Sequence, residues 1–321
     1  MKKTIIIVLF LFSIKGWAQD PVFTQFFMIP ETLSSSFTGG KKTTRAGIIH
    51  RTQWPGLNFS INTQFAFVDN WFEEIDSGLG VSVLNHKETA TRYNFTQVNI
   101  NYVHELQISN AWYLRPSISF GLGTKDFGFQ NLLLEDQINL YQGIINPTSS
   151  DPINLNENRL FFDFSSSMMF YNENSWVGFT LKHLNKPNIS MTYEGEEALD
   201  MFMSLHASVN IPTGYRSEAM VYALANATMQ GEYNRLDLGA RVDYNRFSFA
   251  VLAATNPIKT HDNSHLLTSI NAFMGMEWEG FKFGYSYDFN TTDIGRTGGV
   301  YELSISYDFG NDRDCFGCPD Y

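Results

Sequence analysis

The chain has 321 residues, 15% of them aromatic, and carries 22 Lys and Arg against 33 Asp and Glu, a formal net charge of −11. This length allows two domains or one large all-β barrel, and the acidic balance argues against a protein that binds nucleic acid. After the first residues no window holds 18 consecutive apolar residues, so the sequence predicts no transmembrane helix.

The N-terminus is typical of a secretory signal peptide. Lys2 and Lys3 precede an apolar run over 4–12, and the small residues Gly16 and Ala18 follow. A membrane anchor is the weaker interpretation, because the apolar run is too short to cross a bilayer as a helix. We therefore predict cleavage after Ala18. The exported chain is then either soluble outside the cytoplasm or a β-barrel in an outer membrane.

The segment that follows carries much apolar surface before the first predicted strand. Its large apolar residues are Phe23, Phe26, Phe27, Met28, Leu33 and Phe37. Such a surface is unfavourable in water, so we expect the segment either to plug a barrel lumen or to line its periplasmic mouth. The predicted organisation is a signal peptide over 1–18, this segment over 19–43, a barrel over 44–309 and a periplasmic tail over 310–321.

Fourteen strands are predicted over the barrel region, bounded by Gly, Pro, Asn and Asp. Their ranges are 44–53, 57–68, 76–85, 93–106, 112–123, 159–171, 175–184, 200–211, 215–229, 232–243, 246–253, 266–278, 280–290 and 298–309. Most are long enough to cross an outer membrane when tilted. An even number of such strands predicts an all-β fold, a 14-stranded antiparallel transmembrane outer-membrane β-barrel.

Apolar and polar residues alternate along these strands, as in a barrel with lipid outside and water inside. One lipid-facing row in 281–290 consists of Phe281, Phe283, Tyr285, Tyr287 and Phe289. We expect a similar row in 57–68, made of Leu57, Phe59, Ile61, Phe65 and Phe67. A soluble sandwich also alternates, but its solvent face usually carries many Lys and Glu. The polar faces here are rich in Ser, Asn, Gly and Gln.

Aromatic residues recur near predicted strand ends, as expected for the girdles at the two membrane interfaces. They are Trp71, Trp112, Trp176, Trp278, Tyr287, Tyr307 and Phe309. Short connections, which barrels have on the periplasmic side, alternate with longer ones such as 124–158 and 185–199. This alternation predicts that both termini lie in the periplasm.

Several short motifs are spread over nearly the whole mature chain. They are Gln19-Asp20-Pro21 with Phe23 and Gln25, Arg51 with Gln53-Trp54-Pro55, LKHLNKPN at 181–188 and GGVYELSISYDF at 298–309. In this order they resemble the PorP/SprF family of outer-membrane proteins of the type IX secretion system in Bacteroidetes. Two positions depart from the family pattern. The stretch around Phe37 and Gly39 lacks the usual Asn-Pro, and Tyr301 replaces a His.

The resemblance implies a role in the export or surface anchoring of a specific secreted protein, such as a large gliding adhesin, together with periplasmic components of the same system. The alternative is a general porin or a transporter of hydrophobic solutes. Gln53, Trp54 and Pro55 could contact a partner, although Pro55-Gly56 is a strong turn signal. Because no nucleophile signature is present, we expect neither an enzyme nor a cofactor.

The last predicted strand ends in Tyr307 and Phe309, and an aromatic end of this kind resembles the assembly signal of outer-membrane barrels. The chain continues beyond it to Cys315 and Cys318. A C-x-x-C pair in an oxidising compartment favours a disulfide. Free thiols and a metal site remain alternatives, and the metal site lacks two further ligands nearby.

Overall fold

The computed structural model describes residues 19–57, 60–127, 138–139, 144–145, 158–191, 195–213, 219–258, 267–292 and 297–310. Its barrel strands are β1 Arg45–Gln53, β2 Ile61–Phe72, β3 Ser77–Glu88, β4 Asn94–His104, β5 Tyr113–Asp126, β6 Asn158–Asn172, β7 Ser175–Lys182, β8 Phe202–Ile211, β9 Ala219–Gln230, β10 Tyr233–Tyr244, β11 Phe247–Thr255, β12 Leu267–Trp278, β13 Phe281–Asn290 and β14 Val300–Asp308.

Minor elements accompany the barrel. Leu106–Gln107 pairs with the start of β5, and Ile138–Asn139 pairs with Ile144–Ile145 in a separate two-stranded ribbon. Three short 3-10 helices span Pro30–Thr32, Ser35–Phe37 and Glu73–Ile75. Among the described residues, no helix is long and apolar enough to cross a membrane.

The sheet closes on itself through its first and last strands. β1 and β14 pair antiparallel from Arg45 opposite Asp308 to Gln53 opposite Val300. Each remaining strand pairs with its neighbours in sequence, including β4 with β5 across the connection that joins them. No barrel strand is left with an open edge, as hydrocarbon surroundings require of a spanning sheet. The predicted 14-stranded antiparallel barrel is therefore confirmed.

The outer surface of the barrel is apolar, and the inner surface is largely polar. In β14, Leu303 is 63% exposed whereas the neighbouring Glu302 is 1% exposed. In β13, Tyr285 and Phe289 are exposed on the outer face. The outward aromatic row predicted for this strand is confirmed, because a period of two places every second side chain on the same face.

β2 has the opposite orientation to the one predicted. It begins at Ile61, and Phe65 and Phe67 are each 6% exposed and face the interior, whereas Gln64 and Val68 lie on the outer face. The prediction assumed that the interior holds water. An apolar segment occupies it instead, and inward phenylalanines are stabilised by packing against that segment.

Two of the predicted girdle tryptophans are also inside the barrel. Trp71 and Trp176 are 7% and 3% exposed, whereas Trp112 and Trp278 are exposed as predicted. The guanidinium carbon of Arg115 lies 5.3 Å from the centre of the Trp71 ring. A cation over an indole face is a favourable contact in a desolvated interior. Trp71 therefore packs against Arg115 inside the barrel, which its position near a strand end does not predict.

The two ends of the barrel differ in their connections. At the short-turn end the strands are joined by 73–76, 105–112, 173–174, 212–218, 245–246 and 279–280. At the long-loop end they are joined by 54–60, 89–93, 127–157, 183–201, 231–232, 256–266 and 291–299. Most connections follow the expected alternation of short and long, but 89–93 and 231–232 at the long-loop end are shorter than 105–112 and 212–218 at the short-turn end. Arg45 and Asp308 both lie at the short-turn end.

Candidate functional site

Residues 19–43, the lumenal segment, run through the barrel interior from one end to the other. At the long-loop end, Asp20 contacts His183, which follows β7, and Gln230, the last residue of β9. At the short-turn end, the backbone N–H of Gly39 donates to Asp69 near the end of β2, at 3.0 Å. The segment therefore crosses the lumen once before it enters β1.

This path places Gln19 at the end opposite to the last strand residue. Gln19 lines the same long-loop cavity as Trp54 and Asn290, whereas Asp308 lies at the short-turn end. Gln19 and Asp308 thus lie at opposite ends of the barrel, and the side of the membrane that each terminus faces stays a prediction. The sequence pattern places only the strand ends, and the lumenal segment adds a full crossing.

Aromatic side chains of the lumenal segment form a dry core with one part of the wall. Phe26 and Phe27 are fully buried, and the ring of Phe27 meets Phe273 edge-on with a centroid distance of 4.9 Å. The inward-facing wall residues of this cluster are Ile49, Phe65, Phe67, Tyr222, Leu224, Ala250, Leu252 and Phe273. Burying one such aromatic side chain contributes about 1.5–3 kcal/mol, so the cluster binds the segment firmly.

Several buried polar contacts join the lumenal segment to the wall, and one of them centres on His183. Its Nε2 lies 3.0 Å from each carboxylate oxygen of Asp20, and its Nδ1 lies 3.0 Å from Asp163. Burial lowers the pKa of His183, but the charge of Asp20 and the hydrogen bonds to both carboxylates outweigh it and raise the pKa to about 9. At neutral pH the imidazolium therefore donates to both carboxylates and joins the segment to the wall.

A second contact centres on Glu302 of β14. The backbone N–H groups of Thr24 and Gln25 donate to its two carboxylate oxygens, at 2.9 and 3.0 Å. Arg51 of β1 donates to the same carboxylate. The side-chain oxygen of Gln25 accepts a hydrogen bond from Ser304 at 2.6 Å. A buried carboxylate is stable only when it is paired and hydrogen-bonded in this way.

A third contact centres on Arg115 at the short-turn end. Arg115 is fully buried and donates to the backbone oxygen of Thr38 at 2.5 Å and to Glu105 at 3.1 Å. Glu105 also accepts from the hydroxyl of Tyr171 at 2.7 Å and lies 3.0 Å from the ammonium group of Lys42. The network fixes the segment where it leaves the lumen.

The predicted motif residues fall into two groups. Asp20, Phe23 and Gln25 belong to the lumenal segment and contact the wall. Gln53 ends β1, and Trp54 follows it with a φ of 57°, its N–H donating to the oxygen of Gly299 at 3.0 Å. The turn expected at this motif is thus present, and Trp54 lines a cavity that is described below.

The other predicted positions lie at the end of the chain. Tyr307 is in β14, where it pairs with Ala46 of β1. Phe309 follows the strand, and its N–H donates to the oxygen of Thr44 at 2.9 Å. Cys315 and Cys318 lie outside the described residues, and so do Asn58 and Phe59 of the strand predicted over 57–68.

Sequence reasoning did not single out the wall residues that hold the segment. His183 lies within LKHLNKPN, and Glu302 lies within GGVYELS, so both stood in the quoted motifs. Arg115 and Asp163 lay in predicted strands without any motif. The available signal was a charged residue at an inward position of a strand, which is costly unless a partner is present.

A cavity of about 710 Å³ opens above the lumenal segment at the long-loop end. Gln19 to Val22 form part of its lining, so the start of the segment is its floor. Aromatic, amide and hydroxyl side chains of the wall surround it, among them Gln53, Trp54, Tyr93, Tyr233, Asn256 and Ser269. Its size is within the range of ordinary ligand sites.

The sequence over residues 16–307 matches the family described as type IX secretion system membrane protein PorP/SprF. The chain belongs to this family. The resemblance drawn from the motifs is confirmed, and the closed barrel is that of an outer-membrane component of the type IX secretion system. Among curated protein sequences, none is significantly similar to this chain.

Solved outer-membrane proteins are similar in structure to this family member. The CymD monoaromatic hydrocarbon channel has a TM-score of 0.51 at 12% identity over 91% of this chain and 94% of that chain. Omp33 of Acinetobacter baumannii has a TM-score of 0.45 at 8% identity, over 84% of this chain and 99% of its own. A Pseudomonas aeruginosa FadL homologue has a TM-score of 0.42 at 10% identity, over 84% of this chain and 89% of that chain. At 12% identity the likeness to CymD shows the fold alone.

Proposed function

We propose that this protein assists the export or the surface anchoring of one specific secreted protein, such as a gliding adhesin, and that it does so as a closed barrel without catalysis. The observation that carries the proposal is the occupied lumen. The lumenal segment runs through the interior and is held by His183 and Glu302 towards the long-loop end and by Arg115 at the short-turn end. A general porin needs an aqueous path through this space.

The buried charged groups support a structural rather than a catalytic use. Glu302, His183 and Arg115 each form hydrogen bonds with the lumenal segment or with its immediate neighbours. A catalytic site would need such groups to converge on a position that a reacting atom can occupy. The family membership points in the same direction, because the family serves protein secretion.

The two ends of the barrel suit different partners. The long-loop end offers the larger connections and the cavity, which fits an exported protein on the cell surface. The short-turn end carries the exit of the lumenal segment near Lys42 and the start of the tail over 310–321. We place the periplasmic components of the secretion system there, and this orientation is part of the proposal.

Affinity purification from native outer membranes tests the function. With a tag on the C-terminal tail, we expect mass spectrometry to identify a secreted protein with a type IX export signal and at least one periplasmic component of the system. Deleting the gene should leave that secreted protein inside the cell or release it from the surface. An unrelated outer-membrane barrel with the same tag is the control.

The competing function is a porin or a transporter of hydrophobic solutes. It would be supported if the same preparation yields no secretion component beyond the control and if reconstituted liposomes show solute flux. Because the lumenal segment would have to leave the lumen for such flux, the two functions predict opposite results in the liposome measurement.

A further inference from the structure

We propose that the cavity at the long-loop end is the docking site for an extended polypeptide segment of the exported partner. The identity of the partner rests on the proposed function, whereas the chemistry of the ligand rests on the cavity itself. The cavity has a volume of about 710 Å³, and Gln19 to Val22 line it from below. A chain that entered from the long-loop end would meet the start of the lumenal segment.

The lumen below the cavity already binds a polypeptide through its backbone, in a segment made of turns and two short 3-10 helices. Glu302 accepts from two consecutive N–H groups of the lumenal segment. Lys182 donates to the oxygen of Thr32 at 3.2 Å, and Arg115 donates to the oxygen of Thr38 at 2.5 Å. Wall side chains thus recognise peptide groups along the whole path. The cavity continues that path and shares its wall residue Arg51.

Two buried polar atoms of the cavity lining lack hydrogen-bond partners among the described residues. They are Nε of Arg51, a donor, and Oδ1 of Asp288, an acceptor. The two side chains are 4% and 2% exposed and approach each other to 3.6 Å through other atoms. One is a donor and the other an acceptor, the two kinds of group that pair with the C=O and the N–H of a peptide group. Unpaired buried groups of this kind favour a ligand that completes them.

The charges of the lining favour a neutral ligand. Arg51 is paired with Glu302, and Lys125 lies 3.4 Å from Glu197. A phosphate or another strongly charged ligand would have to disrupt these pairs. The uncharged part of the lining, which includes Gln53 and Tyr233, offers amide, hydroxyl and ring surfaces. Such surfaces suit the amide groups and side chains of an unfolded chain.

Photo-crosslinking in the full-length protein in cells tests the site. A benzophenone amino acid replaces Tyr233, which lines the cavity, or Leu303, which is 63% exposed on the outer face and serves as the matched control. We expect the Tyr233 position to crosslink one contiguous stretch of a protein with a type IX export signal, as read by mass spectrometry. The Leu303 position should not yield that product.

A second variant blocks the cavity. Ser269 lines it and is 6% exposed, so Ser269→Trp should fill part of the space. We expect loss of most of the crosslinked product from the Tyr233 position, while heat-modifiable gel mobility shows that the barrel still folds. A product that survives Ser269→Trp unchanged would refute the site, and so would crosslinks only to this chain, to a saccharide or to lipid.

The outcome also separates the site from the function. If the secreted partner co-purifies with the protein but crosslinks only outside the cavity, the docking site is wrong and the proposed function stands. If no secreted partner co-purifies and none crosslinks, the proposed function fails, and the site fails with it.

Discussion

Glu302 and His183 each hold the lumenal segment through a charge that the wall supplies. Glu302 satisfies two backbone N–H groups that would otherwise be buried without an acceptor. His183 is charged because Asp20 and Asp163 face it from two different elements. Removing one partner of a buried, hydrogen-bonded ion pair typically costs about 3–5 kcal/mol. Single substitutions here should therefore have far larger effects than substitutions on the surface.

The His183 contact should make stability depend on pH. Burial lowers the pKa of His183, but the charge of Asp20 and the hydrogen bonds to Asp163 and Asp20 raise it to about 9. The folded-state pKa is therefore above the unfolded value of about 6.5. The stabilisation from the charged His183 is complete below about pH 6.5 and is lost as the pH rises through about 9. We expect the melting temperature in detergent to fall from pH 7 to pH 10, and to fall less in His183→Gln.

His50→Gln is the matched control for this measurement. The His50 ring is hydrogen-bonded to the hydroxyl of Thr52 at 3.0 Å and forms no ion pair with a carboxylate of the described residues. Its substitution should leave the pH dependence of the wild type intact. The explanation would be wrong if His183→Gln retained the full wild-type fall between pH 7 and pH 10. Circular dichroism at several pH values gives the melting temperatures.

β2, β3 and the lumenal segment form one packed unit at the element scale. β2 directs Phe65 and Phe67 inward against the segment, and β3 approaches the segment most closely at Gly78. A Cβ atom at Gly78 would lie only 2.4 Å from the backbone oxygen of Thr38. Because Gly39 next to it has a φ of +64° and donates to Asp69, this turn has little freedom to move away.

Gly78→Ala should therefore displace the lower part of the lumenal segment. Overpacking of this kind typically costs about 1–3 kcal/mol, and here the atom that is met belongs to the backbone. We expect a lower melting temperature and faster trypsin cleavage after Lys41 or Lys42, which precede β1. Timed digestion followed by mass spectrometry measures the cleavage.

Gly123→Ala controls for the introduction of a methyl group into the wall. A Cβ atom at Gly123 would meet the ring of Phe161, a side chain that can rotate. Cleavage after Lys42 should stay at the wild-type rate in this variant, because the contact is remote from the segment's exit. Equal cleavage in both glycine variants would contradict the role assigned to Gly78.

At the scale of the whole molecule, the barrel and the lumenal segment are one closed body. A barrel of fourteen strands has an interior too wide for its own side chains to fill, and the segment occupies that interior. His183 and Glu302 hold it towards the long-loop end, and Arg115 holds it at the short-turn end. The strands pair around the full circle without the segment's help, so the wall should persist when the segment is removed.

Deleting residues 20–40 should open the barrel. In planar bilayers we expect a large rise in single-channel conductance over the wild type, because the deletion removes the lumenal segment and leaves every strand in place. Removing residues 311–321 is the control and should not raise the conductance, since it leaves residues 20–40 intact. Unchanged conductance after the first deletion would contradict a sealed wild-type lumen.

The sequence by itself determined the fold class, the strand count and the outer rows of β13 and β14. It could do so because a period of two is a local property of each strand. The order of the motifs likewise indicated the family. Asp20, His183 and Glu302, which hold the segment, stood in those motifs, whereas Arg115 did not.

Only the tertiary structure decided which way Phe65, Phe67, Trp71 and Trp176 point. Alternation divides a strand into two faces but does not say what fills the lumen, and here an apolar segment fills it. The polar contacts between the lumenal segment and the wall could not be predicted from the sequence either. Asp20 meets His183 across 163 positions and Thr24 meets Glu302 across 278, and only closure of the barrel brings such distant residues together.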